Sequence, residues 1–561
     1  MRLPPLLPGL TTLALTGPVL AGLWGTVTAA LGHIPAAGLY GPSLAPLREL
    51  FEWPGLCAAL RLSLVTGALA TGLSLAIVTL LIAGWGGTRP FRLLLRVLSP
   101  LLSVPHAAAA FGLMFLIQPS GWIARALSPW ATGWQRPPDL LIVQDPMGLA
   151  LTLGLVVKEV PFLLLIALAA LRTLDAPERA RVASSLGYGR IAGWLFTVFP
   201  ALYPRMRLPV YAVLAYSMSV VDMAIILGPT TPPPLSVQIL RWMGEPDLAQ
   251  RSLASAAALL QGALVLAALV TWRLAEVGVA HLGCRLLQRG HRGGQDGLLR
   301  RLTLVAGGLS VAGVLLGILS LALWSVAARW SFPDALPEAL TSRTWMRHGM
   351  AAGETLATTF AIALSATGIG LILTLGCLET EDRRRLTLTE KGLWLLYLPL
   401  LVPQTAFLPG LQILLLGLKA DRSFSAVVLV HLVFVLPYLR LSLEGPFKAW
   451  DPRLAKVATA LGASAQRVFF QLKLPMLLAP ILTAAAVGIA VSVGQYLPTL
   501  LVGGGRIQTL TTEALALASG GDRRAIGAYA LVQTAVVLLP FGLALLLPAL
   551  IWRNRKGLSH D

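Results

Sequence analysis

Long apolar blocks, each closed by a short polar stretch, set the pattern of this chain. A helix needs about 20 apolar residues, at about 1.5 Å each, to cross the hydrocarbon of a bilayer. Blocks of that size fall near residues 8–32, 56–84, 93–117, 147–171, 207–228 and 252–280. A second set falls near 302–327, 354–378, 392–417, 424–443, 477–502 and 525–551. The segment between the sets, 281–301, is rich in Gly, Arg and Gln and reads as a linker. The pattern predicts an all-α membrane protein with about twelve transmembrane helices, as two halves at 1–280 and 302–561.

Lys and Arg are unevenly shared among the polar stretches, and their placement sets the orientation of a membrane protein. With the N-terminus inside, the inside segments hold 29 of the 44 basic residues, including Arg2, Arg553, Arg555 and Lys556 at the chain ends. The outside loops hold 13, and two, Arg61 and Lys158, fall within spans. This bias predicts a multi-pass protein with both termini in the cytoplasm.

Two of the inside stretches, within 172–206 and 444–476, are copies of one another. A shift of 275 residues carries Pro177 onto Pro452, Ala180 onto Ala455, Val182 onto Val457, Ala183 onto Ala458, Leu186 onto Leu461 and Gly187 onto Gly462. The same shift carries Pro200 onto Pro475, Ser217 onto Ser492, Gly228 onto Gly503 and Leu235 onto Leu510. Upstream the register becomes 298, with Pro105-His106 over Pro403-Gln404 and Gly112 over Gly410. Six spans per half preserve orientation, so the repeats are parallel and a pseudo-twofold axis lies along the membrane normal. Proline suits the first helical turn and glycine ends a helix, so each copy predicts a short inside helix closed by Gly187 or Gly462.

These stretches resemble the EAA loop of permease subunits in binding-protein-dependent ATP-binding-cassette importers. That motif is Glu-Ala-Ala, three further residues and a Gly, with a hydrophobic-Pro end thirteen residues later. The steps from Gly187 to Pro200 and from Gly462 to Pro475 both keep the spacing. Two linked copies are similar to the fused subunits of ferric-iron and thiamine importers and to the YnjC-type permeases. The resemblance implies a bacterial inner-membrane protein served by two copies of a cytoplasmic ATPase and by an extracytoplasmic solute-binding protein. It implies that ATP and Mg are bound by that ATPase, with no cofactor on this chain. The motif positions are Ala180, Arg181, Ala183, Gly187, Ala455, Lys456, Ala458 and Gly462, which would form the ATPase-coupling helices. Arg181 and Lys456 stand where the family has Glu, and Val182 and Val457 where it has the first Ala. A basic residue in both copies implies a partner with acidic or neutral groups there.

Composition narrows the alternatives. The 561 residues are 56% hydrophobic and 12% charged, against about 25% charged in a soluble chain. Mean hydropathy is +0.75. The net charge of +19 is spread over loops rather than gathered in a basic domain, which argues against nucleic acid as a partner. Cys57, Cys284 and Cys377 have no metal or redox spacing. The sequence contains no Gly-x-x-x-x-Gly-Lys-Ser/Thr loop, so an ATP-driven transporter would need its motor on another polypeptide. Nor does it contain a motif of enzyme chemistry, which makes it a transporter subunit. An ion-coupled secondary transporter with six-plus-six parallel repeats is the competing reading. Such a protein would have no need of paired inside docking helices.

Polar groups inside spans mark paths or partners, because a charge at the bilayer centre costs roughly 2.5–3.5 kcal/mol. His106, Asp222, Gln404 and Gln495 are read as lining a translocation path near the pseudo-twofold axis. His106 and Gln404 each follow a proline that frees a carbonyl. Lys158 and Glu159, adjacent on one helix, would face different neighbours. The acidic groups permit a cationic solute such as thiamine or ferric iron without demanding one. Trp122, Trp130, Trp134, Trp242 and Trp345 suit interfacial belts.

Overall fold

The computed structural model describes residues 6–101, 103–290, 292–294, 296–385 and 390–551. Arg2, Arg553, Arg555 and Lys556, which carry part of the orientation argument, lie outside the described residues. Helix is the dominant structure throughout. We number only the helices that recur in both sets. In the N-terminal set, α1 (Leu6–Ala30), α2 (Leu56–Trp85), α3 (His106–Ile117) and α4 (Leu149–Leu171) precede two short helices, α5 (Ala176–Ser185) and α6 (Arg190–Thr197). Then come α7 (Phe199–Ser219), α8 (Asp222–Leu227) and α9 (Gln250–Gln288). The C-terminal set repeats this order. It comprises α10 (Gly297–Val326), α11 (Arg343–Arg384), α12 (Gln404–Gly417), α13 (Phe424–Ala449), α14 (Pro452–Ala460), α15 (Ala465–Val468), α16 (Leu478–Val493), α17 (Leu497–Gly503) and α18 (Arg523–Ile551).

Among the described residues nine helices are long and apolar enough to cross a membrane, and eleven spans result if each of two bent pairs counts as one. The bent pairs are Trp394–Leu401 with α12, at 84°, and Ala465–Met476 with α16, at 73°. Of the twelve expected blocks, 207–228 is the one that does not join them. Its helix α7 carries Arg205 and Arg207 near its start and stops at Ser219, two residues before α8. The linker is also shorter than expected. Helix α9 continues to Gln288 and α10 starts at Gly297, so 289–296 alone connects them. The segment Leu282 to Gln288 has good helix formers, and Arg285 in the last turn suits the negative end of a helix dipole. At 39 residues and about 1.5 Å each, α9 is about 58 Å long, far more than a bilayer core requires.

The two sets are exchanged at their first helices: α1 packs on α12 and α10 packs on α3. Small residues make both crossings possible. A Cβ on Gly410 would collide with the backbone of Gly22, Gly25 and Thr26, and one on Gly25 would lie 2.5 Å from the Gly410 carbonyl oxygen. The Gly410 amide donates to Thr26 Oγ1 at 3.1 Å across this crossing. In the mirror contact a Cβ on Gly112 would sit 2.8–3.0 Å from Gly317. Gly112 and Gly410 are repeat partners, so the same register serves both crossings.

Candidate coupling helices and translocation site

The paired inside stretches fold as their sequence demands. Pro177 and Pro452 lie in the first turns of α5 and α14, where a missing N–H costs nothing. Each helix ends in the same two-bond cap. Gly187, at φ +81°, donates to Ser184 O at 3.0 Å, and Tyr188 donates to Ala183 O at 3.2 Å. Gly462, at φ +87°, donates to Thr459 O at 3.0 Å, and Ala463 donates to Ala458 O at 3.0 Å. The left-handed backbone explains the glycines, and the repeated Ala supplies the acceptor carbonyl. Ala183 is buried at 1% exposure, and a Cβ on Gly193 of α6 would lie 3.0 Å from its methyl group. Alanine here lets α6 fold back onto α5. Ala180, Ala455 and Ala458 are half-buried, whereas Arg181 and Lys456 stand exposed.

A feature not read from the motif is an apolar pair at i, i+4 on each helix. Val182 and Leu186 are 54% and 59% exposed, and their repeat partners Val457 and Leu461 are 59% and 83% exposed. Four-residue spacing puts each pair on one face. The signal lay in the 275-residue alignment itself.

Each short element is tied to the end of a neighbouring span. Arg190 donates to Ala83 O at 3.2 Å and Gly86 O at 2.7 Å, at the end of α2. In the other set Arg383, at the end of α11, donates to Ala465 O at 3.1 Å. Buried Lys473 binds Glu379 at 3.1 Å and Asp382 at 2.5 Å beneath the Phe447 ring, 3.8 Å from the ammonium.

The four predicted path residues all sit where spans are interrupted. His106 opens α3 and Gln404 opens α12, each directly after a proline cap. Asp222 opens α8, and Gln495 lies in the gap between α16 and α17. Gln404 Nε2 donates to Gln495 Oε1 at 3.4 Å. His106 Nε2 is 3.9 Å from Glu159 Oε1, and its ring centroid is 5.1 Å from that of Tyr216. Asp222 lies within electrostatic reach of His106, Tyr216 and Tyr496, and Glu159 within that of Tyr216 and Tyr438. Gln404 and Gln495 thus form one contact and His106 and Asp222 another, with Tyr496, next to Gln495, in electrostatic reach of Asp222. Lys158 turns away from Glu159 and donates to Val104 O at 2.6 Å, the carbonyl ahead of Pro105. Sequence reasoning missed the three tyrosines, which look like ordinary apolar filling in a span.

The interruptions leave carbonyls that must find donors inside the membrane. Ser236 Oγ donates to Val220 O at 2.8 Å, and Gln261 Nε2 to Met218 O at 3.0 Å. Thr511, the repeat partner of Ser236, donates to Val493 O at 2.5 Å and is itself held by Gln533 Nε2 at 2.6 Å. His431 adds a staple confined to the C-terminal set, with Nδ1 2.8 Å from Ser492 Oγ and Nε2 2.9 Å from Thr499 Oγ1. Thr499 gives its own proton to Gln495 O at 2.6 Å, which assigns Nε2 as the donor and Nδ1 as the acceptor from Ser492.

An all-α membrane protein with two matched short helices and polar side chains at four helix breaks fits the class of solute permeases. Residues 368–551 match the family described as binding-protein-dependent transport system inner membrane component. The chain is 34% identical over 535 residues to the inner membrane ABC transporter permease protein YnjC of Escherichia coli K12, covering 94% of this chain and 95% of that one. Shorter similarities reach the molybdenum transport system permease protein ModB of Mycobacterium tuberculosis, at 34% over 90 residues, 16% of this chain and 34% of that one. The spermidine/putrescine transport system permease protein PotC of Haemophilus influenzae is 21% identical over 160 residues, 28% of this chain and 61% of that one. The chain belongs to the ABC importer permease family, as the doubled EAA-like stretch implied.

Proposed function

We propose that this chain is the permease subunit of an ATP-driven, binding-protein-dependent importer, with halves 1–280 and 302–561 and both termini in the cytoplasm. Two copies of a separate ATPase dock on α5 and α14, bind ATP and Mg, and drive the two halves between inward and outward access. A solute-binding protein delivers the cargo outside. The observation that carries this reading is the repetition of one exposed apolar pair, Val182/Leu186 and Val457/Leu461, on two helices with identical caps. A secondary transporter has no use for such matched, water-facing apolar faces. Co-purification of the chain from membranes with a polypeptide bearing a phosphate-binding loop tests the reading, and isolation of the chain alone from gently solubilised membranes would oppose it.

The cargo is a small solute that passes His106, Asp222, Gln404 and Gln495 between the halves. The relatives serve molybdenum and spermidine/putrescine transport, so their names do not fix its identity. Asp222→Ala should lower uptake of the solute carried by the cognate binding protein about tenfold, the equivalent of one charge-assisted hydrogen bond. Unchanged uptake would remove Asp222 from the path.

Arg181 and Lys456 face water beside the apolar pairs and meet acidic or neutral groups on the ATPase. Changing both to Glu should weaken ATPase retention about tenfold, since like charges brought together in an interface cost more than 1 kcal/mol. Equal retention of the ATPase by the reversed and unaltered chains would show that these side chains face solvent only.

A further inference from the structure

The two coupling turns differ in one respect that their sequence identity conceals. Around the first, the connection between α9 and α10 lies directly on the chain. The Gly189 amide donates to Arg292 O at 2.9 Å, and the Ile191 amide donates to Asp296 Oδ2 at 2.8 Å. The Asp296 carboxylate therefore caps α6, while the same residue is the N-cap of α10. A Cβ on Gly189 would come within 2.8 Å of Gly293 O, and one on Gly293 (φ +60°) within 2.7 Å of the Ala192 methyl group. Both glycines are needed for this approach. The exposed Arg292 guanidinium lies against Gly187, with Nη1 3.4 Å from the position a Cβ would take.

The second turn has no such cover among the described residues. No atom lies within 4 Å of a Cβ placed on Gly462. Ser464, which aligns with Gly189, caps its own helix by accepting from Arg467 N at 3.3 Å. One turn is completed from within, and the other by a strap from the far side of the chain.

We propose that Arg292, Gly293 and Asp296 form part of the first ATPase-docking surface. This rests on the reading of α5 and α14 as docking helices. Arg292 lies against Gly187, next in the chain to Leu186 of the apolar pair, and adds an exposed cation there. The ATP-binding subunit at α5 thus meets an apolar pair with a cation from a second segment at its Gly187 end. Because Asp296 starts α10, movement of the first docking turn also passes directly to the first span of the C-terminal half.

A photo-activatable residue placed at 182, 457 or 292 in membranes holding the whole complex tests this. Adducts to the chain bearing the phosphate-binding loop are expected from all three positions. In the background of Asp296→Ala, the adduct at 292 should fall about tenfold relative to that at 182, as expected for loss of a hydrogen bond to a charged acceptor. Adducts at 182 and 457 with none at 292, or a 292 adduct indifferent to Asp296→Ala, would overturn the strap and leave the docking reading intact. No adduct at 182 or 457 would defeat the docking reading and the strap with it.

Discussion

Gly410→Val should keep α1 from seating on α12, at a cost on the order of 3 kcal/mol or more. Overpacking usually costs about 1–3 kcal/mol when side chains can give way. Here the atoms in the way belong to the backbone of Gly22, Gly25 and Thr26, and they cannot rotate aside. The substitution would also separate the Gly410 amide from Thr26 Oγ1. Thermal unfolding of the chain in mild detergent, with monodispersity followed by size exclusion, measures the effect. Gly417→Val is the control, because nothing lies within 4 Å of its Cβ, and a change of about 0.5 kcal/mol or less is expected there. Equal unfolding of the two variants would mean that the α1–α12 crossing is looser than the structure shows.

Placing a carboxylate in each apolar pair, as Val182→Asp with Val457→Asp, should release the ATPase and abolish transport. Truncating a central interface residue typically costs 2 kcal/mol or more, or about 30-fold in affinity per site. Both side chains are more than half exposed in the permease alone, so insertion and folding should be unaffected. The amount of ATPase retained on the purified chain gives the answer, with uptake as the second measurement. Wild-type retention by the double variant would remove the apolar pairs from the interface.

The two short helices α5 and α14 were legible because their determinants are local. A proline in the first turn, an alanine whose carbonyl receives the cap and a glycine at positive φ all lie within twelve residues, and the 275-residue repeat states them twice. The helix breaks at His106, Asp222, Gln404 and Gln495 were legible in part. Polar side chains in apolar blocks are conspicuous, and prolines ahead of His106 and Gln404 marked the interruptions. Tyr216, Tyr438 and Tyr496 were not, because tyrosine in a span is equally at home against lipid or helix. The span at 207–228 failed for a related reason. Its block of apolar residues opens on Arg207, two residues after Arg205, and conceals a break between Ser219 and Asp222.

The sequence by itself determined that this is a doubled, multi-helix membrane protein and where its two matched short helices begin and end, because burial in lipid and helix capping depend on near neighbours in the chain. Only the tertiary structure decided that α1 and α10 cross to the opposite set, that Gln404 meets Gln495, and that Arg292 and Asp296 bond the turn between α5 and α6. In a bilayer nearly every face of a span is apolar, so the hydrophobic pattern that orients a helix in water is silent about its partner. Packing of small residues and the need to satisfy every freed carbonyl make that choice, and both join residues far apart in the chain.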